Sequence, residues 1–157
     1  MTILDIYKGF IVSQYNYFFP KIEEKEPTKL GEIKYNEVIQ VLNQLTPTNY
    51  VSDNKFSTTS KDEAYVYVKQ SEVDTRKWIE ENHDCDNFSF ALQGYWSKGL
   101  YSFPFGIAWS SNHAFNVFID NDKNIWIVEP QNSNFYTIEE AKKITGLSYW
   151  PIRMVII

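Results

Sequence analysis

Five polar turn formers, Asp120-Asn121-Asp122-Lys123-Asn124, separate two runs rich in apolar, β-branched and aromatic residues. The first is Asn112-His113-Ala114-Phe115-Asn116-Val117-Phe118-Ile119 and the second Ile125-Trp126-Ile127-Val128-Glu129-Pro130-Gln131. That order specifies a β-hairpin of roughly 112–119 and 125–129. No other stretch restricts the fold so narrowly. It brings the start of the first strand beside the end of the second, so His113 and Glu129 become neighbours.

The rest of the chain is read around this hairpin. From Glu32 to Leu45 the apolar residues Ile33, Val38, Val41, Leu42 and Leu45 recur at helical spacing with Pro47 just beyond, which predicts an amphipathic helix. Ala64-Tyr65-Val66-Tyr67-Val68 has strand-like residues but follows a capping-box-like start, Ser60-Lys61-Asp62-Glu63, so helix and strand compete. Asp74 to Glu81 reads as a short helix with Trp78 and Ile79 inward. Asn82 or Asp84 then caps a second helix from Cys85 to about Lys98, with Phe88, Leu92, Tyr95 and Trp96 on one side. Leu100 to Trp109 is an extended or looping approach, Ile138 to Lys143 a short helix capped by Thr137, and Ile152 to Ile157 a last strand. Residues 3–19 are apolar without a clean period, and 20–30 read as a charged linker. The expected fold class is α+β, with N-terminal helices packed on a C-terminal antiparallel β-sheet.

Composition narrows the function classes. A length of 157 residues fits one domain with a real core, here aromatic-rich at 17% Phe, Trp and Tyr. A net charge of −5 with acids and bases interspersed argues against a nucleic-acid partner, which needs a basic stripe. One cysteine excludes an intramolecular disulfide and a cysteine-based zinc site. No signal peptide and no membrane span are legible, so a cytoplasmic protein with no membrane partner is expected. The excess of Lys, Asn, Ile and Tyr suits a low-GC bacterium or a phage.

Chemistry concentrates on Cys85, His113 and Glu129. A helix N-terminus favours a thiolate, so Cys85 in a first helical turn is placed as a nucleophile, with nearby backbone N–H groups to hold an oxyanion. His113, at a strand start, can serve as base, and Glu129 can fix its tautomer. The plainer alternative is a buried inert thiol and an ordinary polar histidine. His83 competes as a base, although it sits just outside the helix and close in sequence. Asp120-x-Asp122-x-Asn124 begins like a calcium loop, but Ile125 and Gln131 stand where Gly and Glu are required, so a turn explains it better. Trp109, Trp126 and Tyr101 could line a groove, although core or rim is the simpler role for each.

The segments Asp84-Cys85-Asp86-Asn87-Phe88, Asn112-His113-Ala114-Phe115-Asn116 and Ile127-Val128-Glu129-Pro130-Gln131 resemble a papain-like family, that of the C-terminal domain of the fairy-ring mushroom agglutinin and related bacterial and phage proteins. The similarity covers about residues 50–157. It implies a single papain-like domain with 50–157 as catalytic core and 1–45 as an arm or extension. It also implies catalytic Cys85, His113 and Glu129. Many papain-like enzymes carry a Gln oxyanion donor before the Cys; here the stretch Arg76 to Glu81 has none, so Asn82 or backbone N–H groups would substitute. The agglutinin domain is activated by calcium, but no ligand set carries over, so no metal and no cofactor are expected. The functional expectation is a cysteine hydrolase acting on a peptide or protein through a thioester. Its alternatives are a silent papain-like structural or binding module and a transglutaminase-like acyl transferase.

Overall fold

The structure, a computed structural model, describes residues 24–144 and 149–157; segment 3–19 and the first half of the expected arm lie outside the described residues. Among the described residues the elements run β1 (Gly31–Lys34), α1 (Tyr35–Leu42), β2 (Asn49–Tyr50), β3 (Lys55–Thr58), α2 (Lys61–Gln70), a 3-10 turn (Val73–Thr75), α3 (Cys85–Ser97), β4 (Phe105–Trp109), β5 (Ala114–Ile119), β6 (Ile125–Glu129), β7 (Asn134–Tyr136), α4 (Ile138–Ala141) and β8 (Met154–Ile156).

A six-stranded sheet in the order β2-β8-β4-β5-β6-β7 organises the chain, with β1 and β3 as a separate antiparallel pair. The hairpin supplies the sheet's fourth and fifth strands: Asn116 pairs with Val128 and Ile119 with Ile125. Asp120 shapes its turn. The carboxylate is buried and accepts from the N–H groups of Asp122 and Asn124, the Asn124 amide and the Trp126 indole. All six residues of β5 are buried because both faces of the sheet are covered. Alternation along the strand divides them. Phe115, Val117 and Ile119 join Ile33, Val38 and Leu42 in one core. Phe118 joins Tyr67, Phe88, Leu92 and Trp96 in the other, so α1 covers one face and α2 and α3 the opposite one.

Backbone crowding fixes the sheet's other half. A Cβ at Gly106 in β4 would stand 2.1 Å from the Ile156 carbonyl oxygen, so only glycine lets β8 lie alongside. Buried Asn116 ties α3 to the sheet through its amide, which donates to the carbonyls of Ser89 and Gly106, both at 3.1 Å. Ser89 in turn donates to the Cys85 carbonyl.

Several expectations need correction. Among the described residues helices do not come first, and the sheet is not purely antiparallel: β1, β2 and β3 lie in the N-terminal half, and β2 runs parallel to β8. Among the described residues, eight strands with short helices on both faces of the main sheet therefore replace the expected papain-like α+β arrangement of helices packed on an antiparallel sheet. The helix expected over 32–45 begins only at Tyr35, because Gly31–Lys34 pairs with β3. The helix expected over 74–81 shrinks to the 3-10 turn, and Trp78 and Ile79 are about half exposed instead of inward. The competition over 64–68 resolves as helix, with the Ser60 hydroxyl accepting from the Glu63 N–H. The helix from Cys85 and the hairpin stand as read.

Candidate functional site

Glu129 is fully buried at the end of β6, and a carboxylate there is costly unless donors surround it. Three do. His113 Nε2 lies 2.8 Å and the Tyr149 hydroxyl 2.7 Å from Oε2, and the Gln131 N–H donates to Oε1 at 3.1 Å. An ionised carboxylate only accepts, so Nε2 carries the imidazole proton and Nδ1 is left as the ring's other polar atom. Burial pushes the Tyr149 hydroxyl far above its usual range, with Glu129 adding to the effect, so it remains a donor at every working pH.

The ring is held from its other sides as well. His113 is 6% exposed; Tyr149 meets it edge-on at 5.2 Å and Phe115 lies at 5.7 Å. Its backbone is set by a tight turn in which the Ser110 N–H donates to the His113 carbonyl at 2.9 Å and the His113 N–H donates to the Ser110 hydroxyl. Position 113 is therefore a rigid presentation point at the mouth of β5.

Cys85 opens α3 beside that mouth. It is half-buried, and burial pushes its thiol above the usual range; the neighbouring carboxylates of Asp84 and Asp86 push the same way, while the N–H groups of Ala114 and Asp86 oppose them. The Ala114 contact sets the sulfur at the residue next to His113. Asp86 is itself raised, first through its hydrogen bond with Asp84. The helix start is closed by side chains: the Asp84 N–H donates to Asn87 Oδ1 and the Asn87 N–H to Asp86 Oδ1. The sequence expectation of a thiol favoured as thiolate by its helix terminus is thus opposed by burial and two acidic neighbours.

Cys85 and His113 line one open cleft of about 270 Å3, together with Asp84, Asp86, Trp109, Ser110, Ser111, Asn112 and Ala114. All three sequence-derived residues are brought together: two in the cleft and Glu129 directly behind His113. His83 does not line it; its ring packs on Phe88 at 4.8 Å. Asn82, named as an oxyanion donor, instead donates to the Glu80 carbonyl. Trp109 is the one of the three groove candidates that lines this cleft; Trp126 is bound to Asp120 and Tyr101 lies elsewhere. Sequence reasoning missed Tyr149, which lies twenty residues from Glu129 and has no motif around it. No cluster of three or more His, Cys, Asp or Glu among the described residues could hold a metal ion, and no described helix is long and apolar enough to cross a membrane.

No family model matches the chain. No curated protein matches it. Solved structures do resemble it. One, described as a PSL1a-E64 complex, is 18% identical and has a TM-score of 0.63 over 80% of this chain and 51% of its own. Another is Polyporus squamosus lectin bound to the human-type influenza-binding epitope Neu5Aca2-6Galb1-4GlcNAc, 19% identical with a TM-score of 0.64 over 80% of this chain and 49% of its own. The likeness gives the fold, and the chain spans about half the length of these proteins.

These findings correct the functional expectations. The likeness to a papain-like protease family is replaced by a likeness to lectin chains. The expectation of a cysteine hydrolase or thiol protease, with its silent-module and transglutaminase-like alternatives, is overturned on the same ground. The expected peptide or protein substrate gives way to the glycan that the lectin's description records for that protein. The three sequence motifs define a local constellation, and a constellation does not carry a substrate class with it.

Proposed function

We propose that this chain is a carbohydrate-binding domain whose cleft carries a reactive thiol, with Cys85 as nucleophile, His113 as base and Glu129 as the residue that orients the base. The observation that carries the chemical half is the buried His113–Glu129 contact of 2.8 Å beside the Cys85 cleft. Its three-donor environment holds one tautomer and aims the other ring nitrogen away from the carboxylate. The thiol is not favoured as a standing thiolate, so proton removal by His113 at the moment of reaction is the route the geometry supports.

The binding half is supported by the lectin described with Neu5Aca2-6Galb1-4GlcNAc and by the cleft's lining. Trp109 offers an aromatic face, while Ser111 and Asn112 offer a hydroxyl and an amide. Asp84 and Asp86 disfavour anions, which points to an uncharged part of a glycan. The chain as a single domain, with its working site in the 50–157 part, belongs to the same reading.

Titrating Galb1-4GlcNAc into 15N-labelled protein tests it. The Trp109 indole signal is expected to shift saturably, and Trp109→Ala to weaken binding at least about tenfold, the cost of losing a stacking wall worth roughly 1.5 kcal/mol. An unmoved Trp109 signal, or equal affinity in the variant, would refute the binding half. The PSL1a complex offers a second probe, since E64 is expected to bind in the Cys85 cleft.

A further inference from the structure

The Cys85 cleft, at about 270 Å3, falls just under the roughly 300–1,000 Å3 of most small-molecule sites, so a glycan of several rings extends beyond it over a neighbouring surface. The outer face of α3 supplies one. Residues four apart on a helix stand one above the other, which puts Phe90 one turn along from Asp86, a residue of the cleft lining, and Gly94 one turn beyond Phe90. Phe90 is 55% exposed and belongs to neither buried core. A lone exposed phenylalanine needs no explanation, but this ring meets that of Trp109 at 6.1 Å and 58°, and Trp109 lines the cleft.

Sheet geometry gives Trp109 this neighbour. Phe105 packs in the core beneath α3, and alternation along β4 turns Trp109 to the same face. Met154, the register partner of Trp109 on β8, shares that face and is partly buried. Phe90, Trp109 and Met154 therefore make an apolar surface that continues the cleft. Gly94 adds something that packing does not ask for. A Cβ there would meet nothing within 4 Å, so no neighbour requires glycine, and in a helix interior glycine is less favourable than alanine. Its missing side chain leaves the helix surface next to Phe90 level and open. At the cleft end of this face Asp86 disfavours an anionic ring.

We propose that Phe90, with Trp109, forms a second subsite that takes the next uncharged sugar ring of a glycan whose first ring occupies the cleft, and that Gly94 keeps this subsite open. The proposal rests on the carbohydrate reading above. Phe90 acts in binding and specificity and has no part in proton transfer.

The test is calorimetric titration with Galb1-4GlcNAc, galactose and N-acetylglucosamine, with the Trp109 indole signal followed in 15N-labelled protein, for the native chain, Phe90→Ala, Phe90→Trp and Gly94→Gln. The native chain is expected to bind the disaccharide at least about tenfold more tightly than the better of the two monosaccharides. Phe90→Ala is expected to cut that advantage to about threefold or less while the better monosaccharide binds as before, and Phe90→Trp to restore it, which a damaged fold would not do. Gly94→Gln is expected to raise Tm and yet lose the disaccharide advantage, an opposed pair of effects that a merely structural glycine does not give. A native disaccharide advantage that is absent, or one that persists in Phe90→Ala or in Gly94→Gln, overturns the proposal. If Trp109 shifts saturably in any of those cases, the subsite falls while the cleft reading stands; a Trp109 signal unmoved by all three sugars overturns the cleft reading itself.

Discussion

Replacing Tyr149 by Phe removes one oxygen from the centre of the site and leaves the ring. The ring's packing against Phe115, edge-on at 5.0 Å, and against His113 is retained. What is lost is the 2.7 Å hydrogen bond to a fully buried carboxylate. Hydrogen bonds to charged groups contribute about 1.5–3 kcal/mol. Glu129 keeps its donors His113 and Gln131, so a loss of about 2 kcal/mol is expected, toward the middle of that span. For a chain of this size that corresponds to a drop of about 4–8 °C in Tm. Urea unfolding followed by tryptophan fluorescence at neutral pH measures it, with an unchanged m-value expected. Tyr136→Phe is the control, because among the described residues its hydroxyl accepts only from the exposed Asn134 amide. A loss below about 0.5 kcal/mol in Tyr149→Phe, the range of an ordinary surface change, would refute the claim that Tyr149 supports the buried carboxylate.

Two further outcomes follow from the same packing and charges. Gly106→Ala is expected to destabilise by about 1–3 kcal/mol or more, through overpacking between β4 and β8, measured by the same unfolding curves; a neutral effect would show that β8 can retreat. Asp84→Asn keeps a competent helix cap and removes one charge pushing the Cys85 thiol upward, so the alkylation midpoint of Cys85 is expected to move to lower pH. In the same variant Asp86 loses the partner that raises it. A raised carboxyl favours the folded state at acid pH, and that contribution fades as pH climbs through the folded value. Asp84→Asn should therefore flatten the loss of stability above about pH 4, the ordinary carboxylate range, and an unchanged pH profile would contradict the Asp84–Asp86 pairing.

What the sequence disclosed was mostly local. The hairpin was legible because alternation and turn chemistry are written within twenty residues, and the approach of His113 to Glu129 followed from it. The start of α3 was legible from Asp84, one of the two caps read from the sequence, whereas the reciprocal contact from Asn87 was not. Strand β2 was not, because its two residues become a strand only by pairing with β8 across most of the chain, Asn49 opposite Val155. Ile33 fitted a helical period but belongs to a strand, since Phe56 on β3 was free to pair with it. Tyr149 and Asn116 act through contacts made only once the sheet is assembled. The family resemblance rested on three short motifs, which fix a helix start and two strand ends and leave the ligand undetermined.

The most direct measurement is the rate of Cys85 alkylation by iodoacetamide between pH 6 and pH 9, roughly the span around an ordinary thiol, compared in the native chain and His113→Ala. With the thiol pushed upward, the native rate near neutrality must come from His113, so the variant is expected to react at least about tenfold more slowly there while the two converge at high pH. Equal rates across the range would show that Cys85 and His113 share a cleft without sharing a proton, and the reactive-thiol assignment would fall.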